Sequence, residues 1–254
     1  HAGDPQRLTS VGWSQGWGHA GKTAVMKDPV IASLDLDFTD RHYYGKPAPF
    51  VSELKDLDLR GLGKPFILGE FGSKDHPTFR AADPWGMGDD DASFDQRFSY
   101  QAHHAFGLGA AALSCWHWRD PMEGIFPCGV THQTGVPRPT ALLYRAMALT
   151  FGTLRPLSAT PEIYVVLPDA GRQSGAREAV VRAFHNAGDL LVACRAGFGL
   201  LPDGALDRLP HEAKALIYPV PFDPSDATVE RLTRFVEAGG SLYLSGDLSY
   251  DAQR

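Results

Sequence analysis

From Arg7 to about residue 155, short runs of β-branched and aromatic residues take turns with amphipathic helical stretches, and that order admits few folds. Strands separated by crossover helices enter a sheet in the same direction, so the pattern means βα units and a parallel sheet. Strands are expected at RLTSVGW (7–13), LDFTDRHYY (36–44), PFILGEF (65–71) and AALSCWHW (111–118). Helices are expected at KTAVMKDPVIASL (22–34), APFVSELKDLDLRG (48–61), SFDQRFSYQAHHAFGLG (93–109) and PTALLYRAMALTFGTL (139–154).

An eight-stranded (β/α)8 TIM barrel takes about 250 residues. Four units in the first 155 residues therefore read as the second half of one, strands five to eight. LRPLSATPE (154–162), with two prolines and small polar residues, reads as a linker. A second βα series follows over 156–254, with strands expected at EIYVVLPD (162–169), DLLVACRAG (189–197), AKALIYPVP (213–221) and GSLYLSGD (240–247). SGAREAVVRAFHNAG (174–188) and SDATVERLTRFVEAGG (225–240) carry apolar residues at helical spacing and end on the glycines that a left-handed cap uses. The expected fold class is thus α/β: half a TIM barrel, then a flavodoxin-like three-layer unit.

Composition narrows the partners. With 254 residues, 43% hydrophobic and 21% charged, the chain can bury a sizeable core. A formal net charge of -6 gives no general attraction to nucleic acid or to an anionic membrane, and no apolar run is long enough to span a bilayer. A neutral or polar ligand fits better. Cys115, Cys128 and Cys194 are odd in number and widely spaced, which supports neither a disulfide framework nor a zinc site and favours a reducing, cytoplasmic setting. HAGDPQR at the start has no initiator Met and no signal-peptide core, and SYDAQR ends abruptly, so a longer polypeptide is expected.

Reactive groups of a parallel barrel gather at the C-terminal ends of its strands. Here those ends carry Trp13, with Trp17 close behind, then His42, Tyr43 and Tyr44, then Glu70, then Trp116, His117 and Trp118. Carboxylate, imidazole, phenol and indole on one face suit a sugar, whose C–H surfaces stack on aromatic rings while its hydroxyls bond polar groups. Glu70 stands at a strand-to-loop passage between Gly69 and Gly72, a place where a carboxylate can be ionised, aimed and shielded for attack on an anomeric carbon. His42 and Tyr44, two apart on a strand, point the same way, and the tyrosine is placed to donate to Glu70. Trp118, and less so Trp116, is the stacking candidate.

DRHYYG, ILGEFG and CWHWRDPMEGIF, in that order at the ends of successive strands, resemble the last three strand motifs of retaining glycoside hydrolases of the (β/α)8 superfamily, especially family 5. The resemblance covers about residues 1 to 150. It implies that His42 and Tyr44 match a His-x-Tyr pair, Glu70 the nucleophile, and Trp118 the tryptophan beside the cleaved bond, with no cofactor and no metal. KALIYPVPFDPSDATVERLTRFVEAGGSLYLSGD looks like the class I amidotransferase-like domain that follows the barrel in family 42 β-galactosidases, which implies an assembly role and a homo-oligomer. SGDLSY stands where a true amidotransferase has its cysteine nucleophile, so glutamine hydrolysis is not expected.

One departure matters. Retention needs two carboxyl groups about 5 to 5.5 Å apart, and in the resembling families the acid/base is a Glu after an Asn. The only asparagine here is Asn186, followed by Ala187. The acid/base Glu is therefore expected from an upstream half-barrel segment or from another chain. A non-catalytic carbohydrate-binding or assembly protein is the alternative, and a hydrolase using Ser245 or Ser249 a third reading that lacks a G-x-S-x-G elbow. Asp89, Asp90 and Asp91 read as a solvated acidic loop before a calcium site, with Asp91 or Ser93 able to cap the next helix. His103 and His104 lie mid-helix away from the reactive face, and Glu123 is a weak candidate for the acid.

Overall fold

The computed structural model describes residues 7–14, 35–43, 63–72, 91–120, 129–154, 160–168, 175, 177–221 and 223–245. The helices expected at 22–34 and 48–61, most of the linker, and Trp17, Tyr44, Asp89, Asp90, Glu123, Cys128 and Ser249 lie outside the described residues.

Two four-stranded sheets are present, both parallel throughout. The first runs in sequence order, β1 (Gly12–Ser14), β2 (Thr39–Tyr43), β3 (Phe66–Phe71) and β4 (Ala112–Cys115). Helix α1 (Asp91–Gly107) precedes β4, and α2 (Pro139–Thr153) follows it. Phe98, Gln101, Ala102 and Ala105 of α1 are buried at helical spacing. Phe98, Ala102 and Ala105 pack with Tyr43, Phe66, Leu68 and Phe71 of the sheet and Met147 of α2 in one core. Phe71 and Phe98 stack at 4.8 Å between ring centroids, and Thr140 Oγ1 donates to Asp95 Oδ1 at 2.6 Å, tying the two helices together.

Three strands are shorter than the sequence predicts, for local reasons. The Thr9 amide and hydroxyl both donate to Asp37 Oδ2, at 2.6 and 2.9 Å, while Asp37 N donates to Thr9 O at 3.0 Å, and these bonds hold 36–38 as a bend before the ladder begins. β4 ends at Cys115 because the carbonyls of His117 and Trp118 accept from Val130 and Thr131 instead of from a neighbouring strand.

In the second sheet the order is β6-β5-β7-β8, from β5 (Ile163–Leu167), β6 (Gly199–Pro202), β7 (Ala215–Pro219) and β8 (Ser241–Ser245). Such an order is shared with doubly wound sheets. Val165, Leu167 and Leu200 pack one face against α3 (Arg177–Ala193), while Tyr164, Val166, Leu216 and Tyr218 pack the other against α4 (Asp226–Glu237) and a 3₁₀ segment, Asp203–Arg208.

DLLVACRAG is not a strand. Helix α3 runs through Gly188 to Ala193, because Leu191 continues the buried stripe of Phe184. The reversal comes at Arg195, φ 56°, with Ala196 N donating to Leu191 O and Arg195 N to Val192 O. The strand of this unit is GLLP instead. The second helix ends as its sequence predicts, with Gly239 at φ 96°. Ser225 caps its start by accepting from Thr228 N at 3.2 Å. Helix α1 runs from Asp91, and the side chains of the cap candidates Asp91 and Ser93 lie outside the described residues.

Candidate functional site

The first sheet has two unlike faces. Along β2, Thr39, Arg41 and Tyr43 are buried, whereas Asp40 and His42 are half-buried on the opposite face. Along β3, Phe66 and Leu68 join the core with Ile67 between them. Strict alternation would then send Glu70 into that core as well.

A β-bulge prevents this. Arg41 pairs with Leu68, but His42 pairs with Glu70, so Gly69 is the extra residue. The extra residue turns Glu70 onto the His42 face and Phe71 back into the core. His42 Nδ1 then lies 3.2 Å from Glu70 Oε2. An imidazole N–H at that nitrogen is within reach to donate to the carboxylate.

Glycine is required in the bulge by what lies against it. A Cβ at Gly69 would stand 1.9 Å from Asp40 Oδ1, and one at Gly12 would stand 2.5 Å from His42 Nε2. Gly69 thus makes room for Asp40, a residue that sequence reasoning passed over. Asp40 Oδ1 is 3.7 Å from His42 Nε2, and burial raises the Asp40 carboxyl above its ordinary value of 3.8 while His42 opposes the rise. The imidazole has a carboxyl group on each side.

Of the remaining candidates, Trp13 lies in β1, its backbone beside Arg41. Trp116 and Trp118 follow β4, 39% and 63% exposed. Trp118 meets Tyr144 edge to face, with centroids 6.2 Å apart. What holds this segment is a group the sequence did not single out. Asp120, 4% exposed, accepts from Gly129 N and from Arg138 Nη2, each at 2.6 Å. Thr131 closes the clamp by donating its amide and its hydroxyl to Trp118 O.

His103 and His104 hydrogen-bond through Nδ1 to the carbonyls of Ser99 and Tyr100 one turn back. Among the described residues no cluster of three or more His, Cys, Asp or Glu is arranged to hold a metal. Burial pushes the Cys115 thiol up to about 11, which keeps it protonated and a poor nucleophile. Ser245 Oγ accepts from Val220 N at 3.2 Å at the end of the second sheet, a structural bond that speaks against a nucleophile there.

No protein-family model matches the chain, and no curated protein does. Solved structures do. A polyextremophilic beta-galactosidase from the Antarctic haloarchaeon Halorubrum lacusprofundi aligns with a TM-score of 0.69 at 20% identity, over 95% of this chain and 38% of its own. A GH42 beta-galactosidase from G. stearothermophilus, solved as a catalytic mutant, gives 0.63 at 15% identity, over 94% of this chain and 37% of its own. A GH5_18 variant from Streptomyces cattleya in complex with Manb1-4GlcNAc gives 0.63 at 15% identity, over 85% of this chain and 57% of its own. The chain thus spans less than two thirds of each of these proteins. At such identities the likeness is one of fold: an α/β chain with parallel sheets, like those of TIM-barrel glycoside hydrolases.

Proposed function

We propose that this chain is the nucleophile-bearing portion of a retaining β-glycosidase. Residues 1–155 are the second half of its TIM barrel, and residues 156–254 form an amidotransferase-like assembly domain that favours a homo-oligomer. The observation that carries the reading is the bulge at Gly69, which sets Glu70 at the C-terminal end of a parallel strand and 3.2 Å from His42. Glu70 attacks the anomeric carbon and forms a glycosyl-enzyme that water then releases. His42 and Tyr44 hold Glu70 and the sugar. Trp118 walls the subsite, with Trp116 and Trp13 nearby.

The acid/base Glu comes from an upstream half-barrel segment or from another chain. Two features of the first sheet support a missing half. β4 pairs only with β3 among the described residues, and a parallel barrel leaves no strand edge unpaired. A cavity of about 440 Å³ lies over β3 and β4, lined by Phe71, Leu113, Met147 and Phe151 among others, and is apolar like a surface made to be covered.

A panel of nitrophenyl glycosides, given to the chain together with its upstream segment, tests turnover and assigns the sugar. A 2-deoxy-2-fluoro glycoside should leave its mass on the peptide holding Glu70. Full turnover by Glu70→Gln would overturn the assignment. A non-catalytic carbohydrate-binding protein is the second reading, favoured by the absence of any Asn-Glu pair in the 254 residues. Saturable sugar binding with no hydrolysis in the same panel would select it.

A further inference from the structure

Asp40 has no part in the chemistry proposed above, yet the site is built around it. Its Oδ1 is buried with no hydrogen-bond partner among the described residues, and the polar group in front of it is His42 Nε2 at 3.7 Å. Any side chain on Gly69 would overlap the same carboxyl group. A buried carboxyl oxygen without a partner costs free energy, and strand positions facing an open site seldom keep one without a use. Three groups therefore stand in line: Asp40, the His42 ring and Glu70.

We infer that Asp40 is a positioning residue, which sets the orientation and protonation of His42 so that His42 Nδ1–H is always presented to Glu70. The inference rests on the reading of Glu70 as nucleophile for its kinetic consequence, but not for its structural one. Two protons distributed over the three groups satisfy the line. One lies on Nδ1 and is donated to Glu70 Oε2, which stays ionised. The other belongs to the facing pair Nε2 and Asp40 Oδ1, 3.7 Å apart, and whichever of the two atoms carries it, the net charge of the three groups is -1 by simple count. Without Asp40 the ring is free to place its proton on Nε2 and turn a lone pair toward Glu70, which repels the carboxylate. The bulge glycine belongs to the same device, because it admits Asp40 while turning Glu70 onto the His42 face.

The ¹⁵N resonances of the His42 ring in the full chain at neutral pH read the structural part. The wild-type chain should show Nδ1 as protonated and Nε2 displaced from the position of a free ring nitrogen by the carboxyl group that faces it. Asp40→Asn should move Nε2 toward the position of a free ring nitrogen. An Nδ1 without a proton in the wild type, or resonances untouched by Asp40→Asn, would overturn the inference. The wild-type spectrum alone decides the first point if the variant does not fold. In turnover, Asp40→Asn should lower kcat by about 10- to 100-fold, the usual loss when an orienting partner is removed, with KM within about twofold. If Glu70→Gln abolishes turnover while Asp40→Asn leaves kcat intact, the positioning role fails and the nucleophile stands. If Glu70→Gln retains turnover, the nucleophile reading fails, and the ring resonances still judge Asp40.

Discussion

The two sheets are built from the same kind of unit and differ in what covers them. In the second, β5 is IYVVL and β6 is GLLP, apolar on both faces because α3 covers one and α4 with the 3₁₀ segment covers the other. In the first, β2 reads buried and half-buried in turn, with the core on one side and Asp40 and His42 on the other. One sheet spends both faces on stability. The other keeps a polar face, which no apolar packing rewards, and groups three titratable side chains there. A sheet covered on both sides is a scaffold, whereas a sheet with one polar face keeps titratable groups where a ligand can meet them.

The largest effect expected is at the segment behind the first sheet. Asp120→Ala leaves Arg138 and the Gly129 amide without their acceptor, and breaking a buried pair costs about 3 to 5 kcal/mol. The low end applies because Arg138 is 19% exposed and regains some water. Urea unfolding measures this, and a loss under 1 kcal/mol, the range of a surface pair, would show that Asp120 does not hold the Trp118 segment. Next is the scaffold itself. Leu200→Ala removes a fully buried side chain from β6 and should cost about 2 to 5 kcal/mol. The His42 resonances should stay where they are in that variant, since Leu200 belongs to the other sheet's core. A shift of His42 as large as that from Asp40→Asn would break the division drawn between scaffold and site.

The second sheet also offers a smaller test. Ser225→Ala removes the side-chain acceptor for Thr228 N at the start of α4 and should cost about 1 kcal/mol. That helix was legible in the sequence because all its signals are local: Ser at the start, apolar residues at helical spacing, Gly239 just past the end. The end of helix α3 was not, because Gly188 looks like a stop, yet it is buried within the helix and the true reversal falls at Arg195, which has no sequence mark of its own. The site divides the same way. His42 and Glu70 could be found as polar residues ending apolar strands. Asp40 could not, since its meaning depends on a bulge that brings Gly69 against it, and Asp120 needs Arg138, 18 positions away. A glycine inside a strand was the available hint of the bulge.

The smallest effects expected differ in sign, and they set the edge of the first sheet against its polar face. Asp37 and Asp40 are three residues apart, with the same ordinary value of 3.8. The Thr9 amide and hydroxyl stabilise ionised Asp37 and lower its pKa. Its contribution is therefore present above 3.8 and is lost as pH falls through the lowered value. Burial raises the pKa of Asp40, so the fold prefers the protonated acid, and stability declines as pH climbs from 3.8 through the raised value. Asp37→Asn should thus destabilise the chain near neutral pH, and Asp40→Asn should stabilise it, because the neutral amide removes the cost of burying a charge. Both differences should shrink below 3.8, where the wild-type carboxyls are protonated in the unfolded chain. Urea midpoints of the two variants at neutral and acidic pH check this. Shifts of the same sign at neutral pH would mean that the polar face is no more costly to fold than the edge, whereas opposite signs locate the cost at the residue that faces His42.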